Sequence, residues 1–317
     1  MNIKKIIPIF ALVFTLGIFS GCASGNQKTS FNNYWNQNAL VFEDIHETLV
    51  YDVTFEKGVS YGYDLSYNNG RYVTTLLSGV ENGENVYTYQ TELSIDVTYT
   101  FEETSKTFTD NIKTEVTFLT AENGLRPLHS KKSIVSHSPV SSAPTNLDTG
   151  YLSFAYEINT VYTENGGETK IIEGEETISK SFEIDEGGYS YLDNEQLLLS
   201  LRAIPASKTS TRFLSYAPFT GNVQKVAVAF GATENKEFSY YVNESAEKVK
   251  NTISYRSVNI QLDEKNPGSM QTAWIASVTN TSANTHRNVM LRLETPLFQG
   301  LGTLYYDLSS VSYTNQE

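Results

Sequence analysis

Residues 87–101, YTYQTELSIDVTYTF, alternate between a largely apolar set of side chains and a polar set. The first set is Tyr87, Tyr89, Thr91, Leu93, Ile95, Val97, Tyr99 and Phe101. The second set is Thr88, Gln90, Glu92, Ser94, Asp96, Thr98 and Thr100. Because successive side chains of a strand point to opposite faces, the pattern predicts a strand with one buried face and one wet face. Such one-sided strands are typical of antiparallel sheets.

The same period of two continues on both sides of this stretch, and turn signals separate the runs. Asn-Gly pairs, which tolerate the positive φ of tight hairpin turns, occur at residues 69–70, 82–83, 123–124 and 165–166. The pattern predicts one β-rich domain over residues 48–317. The Ser/Pro-rich stretch 138–150 is either a loop or the joint between two halves of that domain.

One short helix is predicted near residues 193–203. Asp193 and Gln196 have the spacing of a capping box, and Pro205 ends the segment. Leu197, Leu198 and Leu201 share one helical face, which we expect to lie on the concave side of the sheet and to line any cavity there.

The N-terminus has the three parts of an export signal. Lys4 and Lys5 are followed by the apolar run Ile6–Phe19, which is shorter than the roughly 20 residues of a membrane-spanning helix. Small residues then precede Cys22, the chain's single cysteine. Two other interpretations remain open: an ordinary signal peptide with a coincidental cysteine, and a retained transmembrane anchor.

Phe19-Ser20-Gly21-Cys22 resembles the bacterial lipobox, with Phe19 where that family usually has Leu. The resemblance implies cleavage between Gly21 and Cys22 and lipidation of the Cys22 thiol. Residues 1–21 would then be a lipoprotein signal peptide and residues 22–47 a lipidated tether. The implied location is extracytoplasmic and membrane-anchored, and residue usage favours a Gram-positive surface over an outer membrane.

Composition and residue spacing disfavour several classes of function. The formal net charge is −13, and loss of Lys4 and Lys5 makes it −15, which disfavours nucleic acid as a partner. We find no catalytic constellation, no metal-binding spacing of histidines and no cofactor motif. Lipidation of Cys22 would also leave no thiol for catalysis or disulfides.

Parts of the β-rich domain resemble uncharacterised envelope β-proteins and, more remotely, lipoprotein-carrier half-barrels. The resemblance rests on the helix motif at residues 193–198, the strands at 291–296 and 300–308, and residues 124–128 followed by Lys131 and Lys132. It implies an all-β fold, a curved antiparallel sheet or half-barrel with one short helix over its concave face.

These observations predict a non-enzymatic envelope lipoprotein that binds an apolar or glycan ligand. Two alternatives stay open. A structural or partner-binding surface module has fully packed sheet faces, whereas an extracytoplasmic hydrolase has a cleft with convergent carboxylates or a Ser/His pair.

Overall fold

The computed structural model describes residues 28–32, 45–140, 146–185, 187–262, 270–277, 288–297 and 300–314. Residues Gly21 and Cys22 lie outside this set. Strands account for 71% of the described residues and helical turns for 7%, so the predicted all-β class and the low helix content are confirmed.

The described residues form 15 strands, one short helical segment and two separate 3-10 turns. The strands are β1 (His46–Lys57), β2 (Asp64–Glu81), β3 (Glu84–Phe101), β4 (Thr104–Leu119), β5 (Pro127–Pro139), β6 (Tyr151–Thr163), β7 (Gly166–Glu173), β8 (Glu176–Glu183), β9 (Ser190–Leu192), β10 (Ser210–Ala217), β11 (Asn222–Val242), β12 (Val249–Gln261), β13 (Met270–Ala276), β14 (Met290–Pro296) and β15 (Gly302–Thr314). The helical segment consists of the 3-10 turn Asn194–Gln196, the single α-helical turn α1 (Leu197–Ser200) and the 3-10 turn Leu201–Ala203, in that order. Two further 3-10 turns span Ala121–Asn123 and Leu147–Thr149.

All the strands belong to one sheet, in the order β8-β7-β6-β5-β4-β3-β2-β1-β15-β14-β13-β12-β11-β10-β9. Neighbours pair antiparallel except β9 and β10. A second parallel pairing joins Tyr241 and Val242 of β11 to Ser310 and Val311 of β15. This extra contact closes β11–β15 into a ring. Strands β2–β8 continue the sheet beyond β1, and apolar side chains of β6 and β8 pack on those of β9 and β10 in a second cluster.

The inner face of the sheet encloses the core, and β3 shows how the sequence assigns side chains to that face. Tyr87, Ile95, Val97 and Tyr99 are 0–3% exposed, and Leu93 is half-buried. Glu92, on the opposite, outer face, is exposed. The predicted register of this strand is therefore confirmed. One cluster of apolar side chains joins β1–β4, the helical segment and β10–β15.

The helical segment lies inside this core, and its predicted capping box is confirmed. The Asp193 carboxylate accepts a hydrogen bond from the backbone N–H of Glu195 at 2.8 Å, and the Gln196 side-chain oxygen accepts one from the backbone N–H of Asp193 at 3.2 Å. The Gln196 Nε2 donates in turn to the Leu125 carbonyl at 2.8 Å, which ties the start of the segment to the β4–β5 connection. Since these polar groups are buried, each needs such a partner.

The leucines of the segment are distributed differently from the predicted face. Leu197, Leu199 and Leu201 are 1–2% exposed, while Leu198 is half-buried against the core. Because the α-helical part is a single turn flanked by 3-10 turns, the side chains do not follow one continuous α-helical stripe.

Of the four Asn-Gly pairs, two lie at hairpin turns, one (residues 123–124) ends the 3-10 turn between β4 and β5, and one lies inside a strand. Residues 82–83 connect β2 to β3, with φ of 52° and 85°, and residues 165–166 connect β6 to β7. Residues 69–70 instead lie inside β2, where the register with β3 shifts between Asn68 and Arg71. This is a β-bulge, and a Cβ on Gly70 would lie 2.7 Å from Val53 Cβ and 2.8 Å from Ile95 Cδ1.

Residues 28–32, which composition assigns to the tether, pack on the body. Phe31 is 7% exposed and stacks on Phe213, with ring centroids 5.8 Å apart. The first strand begins at His46, two residues before the predicted boundary. Further along, β5 and β6 flank the Ser/Pro-rich stretch and pair directly with each other, so the sheet is continuous across it.

Candidate functional site

The predicted site residues fall into two groups. Gly21 and Cys22, the predicted cleavage and lipidation residues, are outside the described part of the chain. Leu197 and Leu201 are in the core and Leu198 lies half-buried beside it. Neither of the two cavities described below includes these leucines. Their role as a cavity lining stays a prediction.

A groove of about 470 Å³ crosses the outer face of β2–β6, and we call it the outer groove. Its lining comprises Val73, Thr75, Gln90, Thr91, Glu92, Lys113, Thr114, Glu115, Lys131, Ser133 and Glu157. Since adjacent strands are about 4.8 Å apart, four spacings make it roughly 19 Å wide across the strands.

Strand register places nine of the eleven lining residues in two neighbouring rows, and the other two, Thr91 and Thr114, pair with each other at inward positions of β3 and β4. One row runs through Val73, Glu92, Lys113, Ser133 and Glu157, and the other through Thr75, Gln90, Glu115 and Lys131. All of the residues in these rows occupy the alternate strand positions whose side chains point to the outer face of the sheet. The site is therefore a product of pairing between five strands, each of which contributes at most one side chain to each row.

Charged side chains in the groove are paired across the strands. Lys113 Nζ lies 2.9 Å from Glu92 Oε1, and Lys131 Nζ lies 3.7 Å from Glu157 Oε2. Gln90 Nε2 donates to Glu115 Oε2 at 2.7 Å. The ion-paired side chains are 47–62% exposed, and such pairs contribute only about 0–1 kcal/mol each. A ligand can therefore exchange these contacts for its own at little cost.

The groove offers alternating donors and acceptors rather than a reactive centre. Lysine ammonium groups donate, carboxylates accept, and the Thr75, Ser133 and Gln90 side chains do both. Within the described ranges, no three His, Cys, Asp or Glu side chains are close enough together to hold a metal ion.

A Ser, a His and an Asp meet elsewhere, where β4 and β5 diverge. Asp110 accepts hydrogen bonds from Ser136 Oγ at 2.8 Å and from the His137 backbone amide at 2.9 Å, and it lies 2.9 Å from His137 Nδ1. The serine is bonded to the carboxylate and not to the imidazole. The trio therefore does not have the serine–imidazole contact of a Ser-His-Asp triad. His137 also stacks on Phe108, with centroids 3.9 Å apart.

This trio has a structural effect. Backbone pairing between β4 and β5 reaches only Asn111 and Val135. Beyond that point the Asp110 carboxylate takes the place of a backbone carbonyl as the acceptor for His137. The trio thus fixes the point at which the two strands separate.

A second cleft, of about 250 Å³, lies at one end of the sheet, and we call it the end cleft. Its lining is Lys28, Asn123, Gly124, Arg126, Glu164, Asn165, Ser190 and Tyr191. These residues come from the N-terminal segment, the β4–β5 connection, the β6–β7 turn and β9. Residue 28 therefore lies beside the β4–β5 connection and the β6–β7 turn, at the end of the body that carries the end cleft.

With this geometry in view, comparison with known proteins gives no relative. No protein-family profile, no curated protein and no solved structure matches the chain. A search of the described residues finds no helix of the length and hydropathy needed to cross a membrane.

The outer groove was not among the sites predicted from the sequence. The sequence pattern predicts that Glu92 lies on the wet face of its strand, and it gives no indication that Lys131 lies on the same surface. The available signal was the repeated placement of Thr, Gln, Glu and Lys at outward positions of successive strands. That signal becomes a site only when the cross-strand register is known.

Proposed function

We propose that this protein is a lipid-anchored extracytoplasmic binding protein that holds a glycan in the outer groove. The observation that carries the proposal is the lining of that groove, in which every residue except Val73 is polar. Sugar hydroxyls both donate and accept hydrogen bonds, so they are suited to neighbouring lysine and carboxylate groups. The anchor is proposed on the lipobox-like sequence ending at Cys22.

Charge balance in the groove favours a neutral ligand. Two lysines, Lys113 and Lys131, face three glutamates, Glu92, Glu115 and Glu157. A strongly charged polymer would meet two groups of one sign and three of the other, so that attraction and repulsion would largely offset each other. An acyl chain would desolvate these charges without replacing their partners, which is costly.

Binding is tested on residues 22–317 carrying Cys22→Ser, by calorimetric titration with neutral glucan, chitin and mannan oligosaccharides. Ser133→Trp places a large ring in the groove from the outer face and is expected to weaken binding at least about tenfold, equivalent to about 1.4 kcal/mol. Thr107→Trp is the matched control, since Thr107 is an exposed β4 residue outside the groove lining. Thermal melts verify that both variants fold.

The alternatives give different results in the same titration. Uptake of a fluorescent fatty acid without oligosaccharide binding would favour a carrier of apolar ligands. Failure of every probe, together with no co-purified ligand in native mass spectrometry, would favour a structural module. The anchor is tested separately by metabolic labelling with a palmitate analogue, and label retained by Cys22→Ser would refute lipidation at that residue.

A further inference from the structure

The segment Lys28–Asn32, which we call the clasp, is fixed to the core at several points. Phe31 stacks on Phe213 with an interplanar angle of 17°. The hydroxyls of Thr29 and Thr211 lie 2.5 Å apart, and the Asn32 amide donates to the Ala203 carbonyl at 2.8 Å. The clasp therefore contacts both β10 and the helical segment, and it behaves as part of the body.

The clasp also shows at which end of the body the chain arrives. Lys28 lines the end cleft together with the β4–β5 connection and the β6–β7 turn. The opposite end of β4 carries the β3–β4 turn at Glu102 and Glu103. Because β4 has 16 residues and a strand rises about 3.3 Å per residue, the two ends are roughly 50 Å apart.

Only a short stretch of chain lies between the clasp and the proposed lipid. Six Cα–Cα steps connect Cys22 to Lys28, and a fully extended chain spans at most about 3.6 Å per residue, or about 22 Å in all. This reach is less than half the length of β4. A lipid on Cys22 would therefore keep the end cleft near the membrane and leave the β3–β4 turn far from it.

We propose that the clasp sets the orientation of the body, so that the end carrying the end cleft faces a lipid surface. This proposal rests on the lipid anchor proposed above. Along β4, the groove residue Thr114 is about 17 Å from the clasp-side end and about 33 Å from the other, at roughly 3.3 Å per residue. The orientation thus brings the outer groove to the membrane-side half of the body, where its ligand is a glycan close to the lipid.

The experiment measures energy transfer from a dye on the body to an acceptor on lipid headgroups, with the full-length lipidated chain in phosphatidylcholine vesicles. The dye is attached through Glu122→Cys or, in a second variant, Glu103→Cys. Both are exposed turn glutamates at opposite ends of β4, and lipidation of Cys22 leaves the new thiol as the chain's only free one. Transfer is expected to be at least about twofold more efficient from position 122 than from position 103, because of the roughly 50 Å between the strand ends.

Lengthening the tether tests the part played by the clasp. About twelve Gly and Ser residues inserted between Gln27 and Lys28 add roughly 20 Å of flexible reach and are expected to reduce the difference between the two dyes. The matched control is the same insertion between Gly174 and Glu175, at the β7–β8 turn, and should leave the difference unchanged.

The outcomes separate the two proposals. A chain that does not float with the vesicles overturns the lipid anchor, and the orientation with it. A chain that floats but transfers equally from both positions overturns the orientation alone. A difference that survives the tether insertion overturns the claim that the short tether and clasp produce it.

Discussion

The two faces of β2–β6 are made from the same strands and yet have opposite properties. The inner face of β3 presents Tyr87, Ile95, Val97 and Tyr99 to the core, and these side chains are almost fully buried. The outer face presents Gln90 and other polar side chains, which line the groove. Stability is therefore concentrated on one set of alternating positions, and the other set is free to serve binding. Substitutions on the two faces should differ in effect accordingly.

The largest expected effect comes from tyrosines on the inner side. Burial raises the pKa of Tyr89 and of Tyr306 to about 12, from an ordinary value near 10. The unfolded chain loses these protons near pH 10 while the folded chain keeps them. Their stabilising contribution is full below about pH 10 and is lost as the pH rises towards 12. At about 1.4 kcal/mol per pKa unit, the two groups together account for roughly 6 kcal/mol.

Alkaline titration followed by circular dichroism and tyrosinate absorbance checks this expectation. The bulk of the tyrosinate signal should appear together with the loss of β-structure, above pH 10. Gradual ionisation of these tyrosines near pH 10, with the sheet still intact, would contradict their assignment to the inner face.

A buried ion pair should give the next largest effect. Arg202 Nη1 and Nη2 donate to Glu47 Oε1 and Oε2 at 2.5 and 2.9 Å, and both side chains are 2–3% exposed. Arg202→Ala leaves the Glu47 carboxylate buried without its partner and should cost about 3–5 kcal/mol in urea unfolding. The double variant Arg202→Met, Glu47→Leu removes both charges and should recover most of that loss. A double variant as unstable as the single one would show that the cost is due to packing.

The smallest effects compare the two faces directly, within β3. Val97→Asp buries a carboxylate at a position with no exposure, and we expect a loss of about 3 kcal/mol. Glu92→Lys changes an exposed residue of the outer face and should shift stability by less than about 1 kcal/mol. Chemical denaturation of the two variants side by side provides the measurement. Similar losses from both would show that the register of β3 has been assigned wrongly.

The features that the sequence predicted correctly are those that depend on local spacing. Alternation along β3 is a property of neighbouring residues, and so is the three-residue spacing of Asp193 and Gln196. Neither prediction required knowledge of which other strand or segment these residues contact. The Asn-Gly pair at residues 69–70 shows the limit of local reasoning, because the same dipeptide suits a turn or a bulge. The choice there depends on the close approach of Gly70 to Val53 and Ile95.

Features that join distant parts of the chain were not predictable from one sequence. Glu47 and Arg202 are 155 residues apart, and nothing near either residue identifies the other as its partner. The parallel pairing of β11 with β15 is equally remote. The outer groove depends on the register of five strands. A shift of one residue in any of these strands would move its groove side chains to the inner face. The packing of Phe31 on Phe213 could not be predicted because the residues next to Phe31 in the sequence have the polar composition of a linker.

The two edges of the sheet bear on whether copies of this protein associate. A free strand edge can pair with the edge of another molecule and start aggregation, and a high local concentration increases that risk. Here one edge strand, β9, has only three residues. The other, β8, carries Glu176 and Glu183, and its Lys180 Nζ donates to the carbonyls of Pro218 and Phe219 at 3.0 and 2.6 Å. Like charges on β8 repel the same edge of a neighbouring copy, so we expect crowded molecules to remain separate.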